Sequence, residues 1–370
     1  MTAQATATVT PLPTKTAVAE GVETTVAGAA AIDATNDPHL GDMVVTASVT
    51  ELKRLVRPFK PVNVYISGDT GLGKSTAVMW IAKQLGIPCI RVSISFQTDV
   101  DDLIGGIRLE KDGDTTVTVF NKGPVLKAME MENCILLLDE IDTANPRVVM
   151  ELQAILELRG YLVKKTGEMV YPAKGFRVIA TGNTKGLGDT TGRFVATNPL
   201  NDAFRDRFHT YVDFVPPNES EITQILAMKT PTLDAEIIEC LASWYWQIVE
   251  SRNKGVHTTI ISPRRITKIA ELFDLFEIPN VDDIIQVKDT LNYGLRFFED
   301  RVKDAFLNVW ENMISTSAQA RARKRRARQQ AADPNGNQSS TSTSSVGGAG
   351  TGRFANLSVD ENGEPVPFGM

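Results

Sequence analysis

Gly68–Asp69–Thr70–Gly71–Leu72–Gly73–Lys74–Ser75 is the stretch whose reading decides the fold. It reads as a phosphate-binding loop between a strand and a helix. Upstream, Val62–Asn63–Val64–Tyr65–Ile66 is β-branched and aromatic, as a buried parallel strand should be. Downstream, Ser75 to Leu85 carries apolar residues at helical spacing. Gly68, Gly71 and Gly73 let the backbone curl so that successive N–H groups point at an anion, and the helix dipole adds partial positive charge there. A triphosphate fits such a nest. Lys74 is expected to reach the β- and γ-phosphates, and the Ser75 hydroxyl to take a coordination position on Mg²⁺. Gly68 to Ser75, with Thr76 after them, form the expected triphosphate-binding set.

Working outward, 370 residues allow two domains of ordinary size. A hydrophobic content of 42% beside 23% charged residues is that of a globular protein. No apolar run approaches the length of a membrane-spanning helix, and no basic segment precedes an apolar one at the start, so a cytoplasmic protein without membrane contact is expected. Cys89, Cys134 and Cys240 are widely spaced in apolar surroundings, which predicts buried thiols rather than disulfides. His39, His209 and His257 are too scattered for a metal cluster. A net charge of −6 argues against a surface that grips nucleic acid throughout.

Residues 1–42 show neither helical nor strand periodicity and are read as a flexible, disordered arm. A short helical pattern from Met43 to about Phe59 is placed where it can cover a nucleotide base. Strands are predicted at Pro88 to Ile94, Cys134 to Asp139, Phe176 to Thr181 and Tyr211 to Val215. Ile107–Leu109 with Thr115–Phe120 form one hairpin, joined by Lys111–Asp112–Gly113–Asp114 with its Asp-Gly turn signal, and a second crosses Thr166–Gly167. Helices are predicted from Gly123–Pro124 to Met131, from Pro146 to Leu158 and from Leu200 to Phe208. This alternation predicts an α/β domain over 43–217 with a parallel sheet and flanking helices. Asn218 with Glu221 is a capping box, and the pattern is helical from there to about residue 316, which predicts a small all-α lid domain over 218–316. The remainder, 317–370, is basic and then rich in Ser, Thr and Gly, read as a frayed helix end and a disordered tail.

Phosphoryl transfer to water needs neutralising charge, a metal and a group that orients the nucleophile. The apolar run Cys134 to Leu138 ends in Asp139–Glu140, and carboxyl ends of parallel strands carry functional residues. Asp139 is the expected partner of Mg²⁺ and Glu140 the group that polarises water; the plain alternative is a solvated strand end. Asn183, at the next strand tip, is expected at the γ-phosphate or the water, against the reading of a simple turn former. Arg205, Arg207 and Arg264 are candidates for further positive charge; Ser262–Pro263 before Arg264 caps a helix and aims that arginine.

Taken in order, GDTGLGKS, LLLDEID, ATGN, FRDRF and SPRR, with a helical domain behind them, resemble the AAA+ ATPases over roughly residues 43–316. The two hairpins are similar to those of the MoxR and chelatase branch, and FRVIATGNTKGLGDTTG (Phe176 to Gly192) is similar to the CobS-type ATPase subunit of aerobic cobaltochelatase. The resemblance implies a P-loop NTPase core with a lid, Walker A at Lys74 and Ser75, Walker B at Asp139 and Glu140, sensor 1 at Asn183, an arginine finger at Arg207 with Arg205 as rival, and sensor 2 at Arg264. It implies ATP and Mg²⁺, a homo-oligomeric ring, hexameric in that family's manner, that remodels a partner, and a protein partner with a metal-ion-dependent adhesion domain. Two other functions stand beside it. One is a chelatase subunit driving a metal into a tetrapyrrole, from which Arg193 to Thr197 depart; the other is a nucleic-acid-associated ATPase, read from the basic run Arg321 to Arg328. For that run a solvated helix end is the favoured reading.

Overall fold

The computed structural model describes residues 31–33, 37, 40–112, 115–189, 194, 196–256, 258–281 and 283–332. Residues 1–313 form one compact unit and 314–370 a second. The chain runs β1 (Ala31–Asp33), α1 (Ala47–Leu55), β2 (Val64–Ser67), α2 (Lys74–Leu85), β3 (Cys89–Ser93), α3 (Val100–Ile104), β4 (Gly105–Asp112), β5 (Thr115–Lys122) and α4 (Pro124–Glu130). It continues as β6 (Ile135–Asp139), a 3₁₀ turn (Ile141–Thr143), α5 (Pro146–Leu156), β7 (Tyr161–Val163), β8 (Glu168–Val170), β9 (Arg177–Thr181), α6 (Asp202–Arg205) and β10 (Thr210–Asp213). Helices follow: α7 (Glu219–Lys229), α8 (Ala235–Asn253), α9 (Pro263–Leu275), α10 (Ile284–Gly294) and α11 (Asp300–Ala332).

The main sheet has the order β1-β3-β6-β9-β2-β10, and every pair from β3 to β10 is parallel. Both faces are therefore covered. Strand pleating sorts β6 between two cores: Leu136 and Leu138 pack with α4 and α5, while Ile135 and Leu137 pack with α1 and α2. All four are fully buried, so truncating any of them to Ala costs about 2–5 kcal/mol. Placing β2 between β9 and β10 brings three strand ends beside the phosphate loop. That arrangement is the α/β sheet expected from the alternating pattern.

Three expectations need correction. The arm 1–42 was expected to be without structure, yet β1 pairs antiparallel with β3, Ile32 opposite Arg91. A sheet edge leaves unpaired backbone groups that a weakly β-prone segment can satisfy. The Met43 to Phe59 pattern is helical only over α1, because the Thr46 side chain accepts from the Val49 N–H and caps the helix there. The basic run Arg321 to Arg328 lies inside α11, not in a frayed end; Ala, Arg, Lys and Gln are all strong helix formers. Residues 333–370, most of the arm, the hairpin tip Gly113–Asp114, residues 190–192 of the GDTTG stretch and residues 193 and 195 after it lie outside the described residues.

The two hairpins are β4–β5 and β7–β8, each a separate two-stranded sheet. Behind β10, Asn218 and Glu221 close a reciprocal capping box that opens α7. Trp244 on α8 is fully buried, donates to the Phe306 carbonyl at 2.8 Å and meets Trp310 edge-on at 5.6 Å. These contacts fasten the helices after Pro217 to one another. Cys89 and Cys134 are buried, Cys240 is half-buried, and none forms a disulfide.

Candidate active site

Gly73 adopts a left-handed conformation (φ 82°) at the N-cap of α2, a region glycine enters without steric cost. Lys74, the first residue of that helix, folds back over the loop. Its Nζ donates to the carbonyls of Gly68 (2.6 Å) and Asp69 (3.1 Å) and to Asn183 Oδ1 (3.1 Å). Burial pushes Lys74 below the ordinary lysine value, while the carboxylates of Asp142, Asp139, Asp69 and Glu140 pull the other way.

Asp139 ends β6, and its carboxylate is satisfied on both oxygens. Oδ1 accepts the hydroxyls of Ser75 and Thr181, the latter at 2.5 Å, and Oδ2 accepts Arg91 Nε at 2.9 Å and Nη2 at 2.6 Å. Burial raises this carboxyl, but the two hydroxyls and the guanidinium outweigh it and hold Asp139 below the usual carboxylate range. The carboxylate and the Ser75 hydroxyl are adjoining oxygen donors, the kind hard divalent cations take. Among the described residues no group of three His, Cys, Asp or Glu could hold a metal by itself.

Glu140 is left-handed (φ 60°), with its N–H on Thr181 Oγ1 at 3.2 Å. In an extended strand consecutive side chains point to opposite faces; this turn instead lets Glu140 and Asp139 line one cavity. Asn183 lines it too, from the segment after β9, and accepts from Thr70 Oγ1 at 3.3 Å as well as from Lys74.

That cavity, of about 290 Å³, is walled by the loop from Thr70 to Thr76, by Arg91, Asp139, Glu140, Thr181 and Asn183, and by Arg264 from α9. A second, mainly apolar cavity of about 250 Å³ adjoins it through Gly71, Leu72, Gly73, Thr76 and Arg264. Met43, Val44, Phe214, Ile225, Met228 and Pro263 line it. A polar cavity thus opens beside an apolar one.

The structure brings Lys74, Ser75, Asp139, Glu140, Asn183 and Arg264 together, and leaves two candidates elsewhere. Arg207 donates from Nε and Nη2 to Glu157 Oε1, at 3.3 and 2.8 Å. Arg205 pairs with Asp202. Neither lines the phosphate-side cavity. Arg91, Thr181, Asp142 and Arg252 escaped the sequence reading. Thr181 in ATGN and Asp142 in LLLDEID were within motifs already marked; a polar Arg91 among apolar strand residues was a further signal; Arg252 in a helical run carried none. His209 serves the frame, accepting the Asn63 N–H on Nδ1 at 3.0 Å.

Residues 63–208 match the model of the AAA domain (dynein-related subfamily). An uncharacterized protein of Staphylococcus epidermidis is 34% identical over 67% of this chain and 89% of its own. The aerobic cobaltochelatase subunit CobS of a Sinorhizobium species is 31% identical over 58% of this chain, which spans 65% of that subunit's length. The RuvB Holliday junction branch migration motor of Thermotoga maritima aligns over 66% of each chain at 16% identity, with a TM-score of 0.38.

Proposed function

The chain belongs to the AAA+ ATPases, and on that premise we propose that it hydrolyses ATP as one subunit of a homo-oligomeric ring, hexameric, that remodels a partner protein or complex. The observation that carries the reading is the convergence of Lys74, Asp139, Glu140 and Asn183 on one cavity at the ends of β2, β6 and β9. In this proposal the loop N–H groups and Lys74 hold the triphosphate, and the apolar cavity behind Met43 and Ile225 takes the base. The Ser75 hydroxyl and, through water, Asp139 would hold Mg²⁺, which would neutralise phosphate charge. Glu140, with no hydrogen bond on its carboxylate among the described residues, orients the attacking water and accepts its proton, while Asn183 fixes the water or the γ-phosphate. Arg264 adds charge from the lid formed by residues 218–316.

Arg207 lies away from its own chain's cavity, which supports its donation to a neighbour's site, with Arg205 as rival. A ring supplies that neighbour. The partner proposed from family resemblance carries a metal-ion-dependent adhesion domain. Sedimentation of the Glu140→Gln protein tests the ring: assembly with ATP and Mg²⁺ is expected, and a monomer under saturating nucleotide overturns it. Capture of partners on the same ATP-trapped ring then identifies what is remodelled.

The similarity to the cobaltochelatase subunit favours a second reading, an ATPase subunit driving metal insertion into a tetrapyrrole. Co-purification with a large chelatase subunit and ATP turnover stimulated by tetrapyrrole would support it; turnover indifferent to both removes it.

A further inference from the structure

Among the described residues, an ion pair joins the helices after Pro217 to the phosphate loop. Arg252, in the last turn of α8, donates from Nη1 to Asp69 Oδ2 at 2.8 Å. Their side chains are only 28% and 16% exposed, so solvent and salt screen the pair less than an open surface pair. Asp69 is thereby engaged at both ends. Its carbonyl accepts Lys74 Nζ at 3.1 Å while its carboxylate is held by Arg252.

A second contact lies on the same loop. A Cβ placed on Gly71 would stand 3.0 Å from Ser262 Oγ and 3.2 Å from Arg264 Cβ, so the start of α9 packs closely on the loop backbone, at a residue whose φ of 83° favours glycine. Between these contacts lies the apolar cavity. Ile225 and Met228 of α7 and Pro263 of α9 form one wall, and Met43 and Leu72 the other. Separating the helices from the loop would open that cavity along its length.

We propose that Arg252–Asp69 is a latch that holds the helical lid on the phosphate loop and sets how long nucleotide stays bound. The proposal rests on the reading that ATP occupies this loop. Arg252 is a positioning residue: it lines neither cavity and acts through Asp69. Because a single Nη1 contact carries the pair, a lysine at this position retains most of the attraction as a point charge.

The test is a stopped-flow chase of a fluorescent ATP analogue from the full chain, comparing wild type, Arg252→Gln, Asp69→Asn, the double variant and Arg252→Lys. Each single neutralisation should speed dissociation about three- to tenfold. The double variant should be no faster than the faster single, and Arg252→Lys should return most of the difference. Coupling of this kind separates a latch from two independent losses of stability. Additive effects, or an unchanged rate in Arg252→Gln, overturn the latch while leaving the nucleotide site intact. A wild-type protein that binds no analogue overturns the site reading and the latch with it.

Discussion

Asp142 Oδ2 accepts the backbone N–H of Asn183 at 2.7 Å. The same oxygen takes the Thr184 N–H at 3.0 Å, so a fully buried carboxylate in the turn after β6 carries the segment that follows β9. Its other oxygen, Oδ1, is buried without a hydrogen-bond partner. Such a group costs free energy when left unpaired, and here the nearby Lys74 charge offsets part of that cost.

Asp142→Asn should therefore lose about 1–3 kcal/mol of stability and lower turnover while leaving ATP affinity within a fewfold of wild type. If Asp142 acts through Asn183, adding Asn183→Ala should slow the enzyme no further than the slower single variant. Phosphate-release kinetics beside thermal unfolding measure both quantities. Multiplicative rate losses would assign Asp142 to general stability alone.

Lys74 and Glu140 line one cavity, yet their substitutions should fail differently. Lys74→Ala removes the charge that holds the phosphates and should weaken nucleotide binding at least about tenfold, 1.4 kcal/mol. Glu140→Gln keeps the shape without the proton-accepting carboxylate, so binding should persist while turnover falls about 10²–10⁴-fold. Normal turnover by Glu140→Gln would falsify the role proposed for it.

For the arginine finger the measurement is a mixing experiment. Arg207→Ala and Lys74→Ala should each be inactive, with a loss of about 10³–10⁵ expected for the missing arginine by analogy with GTPases. Mixed, an intact loop on one subunit meets an intact Arg207 on its neighbour, and part of the activity should return. A mixed ring as inactive as its components removes Arg207 from the trans role, and repeating the mix with Arg205→Ala decides between the two.

The hairpins β4–β5 and β7–β8 stand apart from the main sheet, and Leu109 is 73% exposed on the first and Leu162 50% on the second. The prediction is that these exposed apolar side chains touch the partner. Replacing residues 110–116 by a short Gly-Ser turn should spare basal ATPase and abolish stimulation by the partner captured on the Glu140→Gln ring. Equal stimulation of the shortened protein would remove the hairpin from that contact.

By itself the sequence determined whatever depends on neighbours along the chain. The glycine spacing of Gly68 to Ser75, the apolar run ending in Asp139, the Asn218–Glu221 capping box and the Asp-Gly hairpin are each set within a few residues, because backbone conformation and side-chain period are local properties. Only the tertiary structure decided which distant groups meet. Arg91 reaches Asp139 across 48 residues, Asp142 reaches Asn183 across 41, and Arg252 reaches Asp69 across 183. None of these pairs leaves a periodic signal. Strand order created the first two, by setting β3 beside β6 and β6 beside β9; the return of α8 over the loop created the third. An arginine in a strand or on a helix reads the same in sequence whether it faces water or a carboxylate, and it is the packing of whole elements that chooses between them.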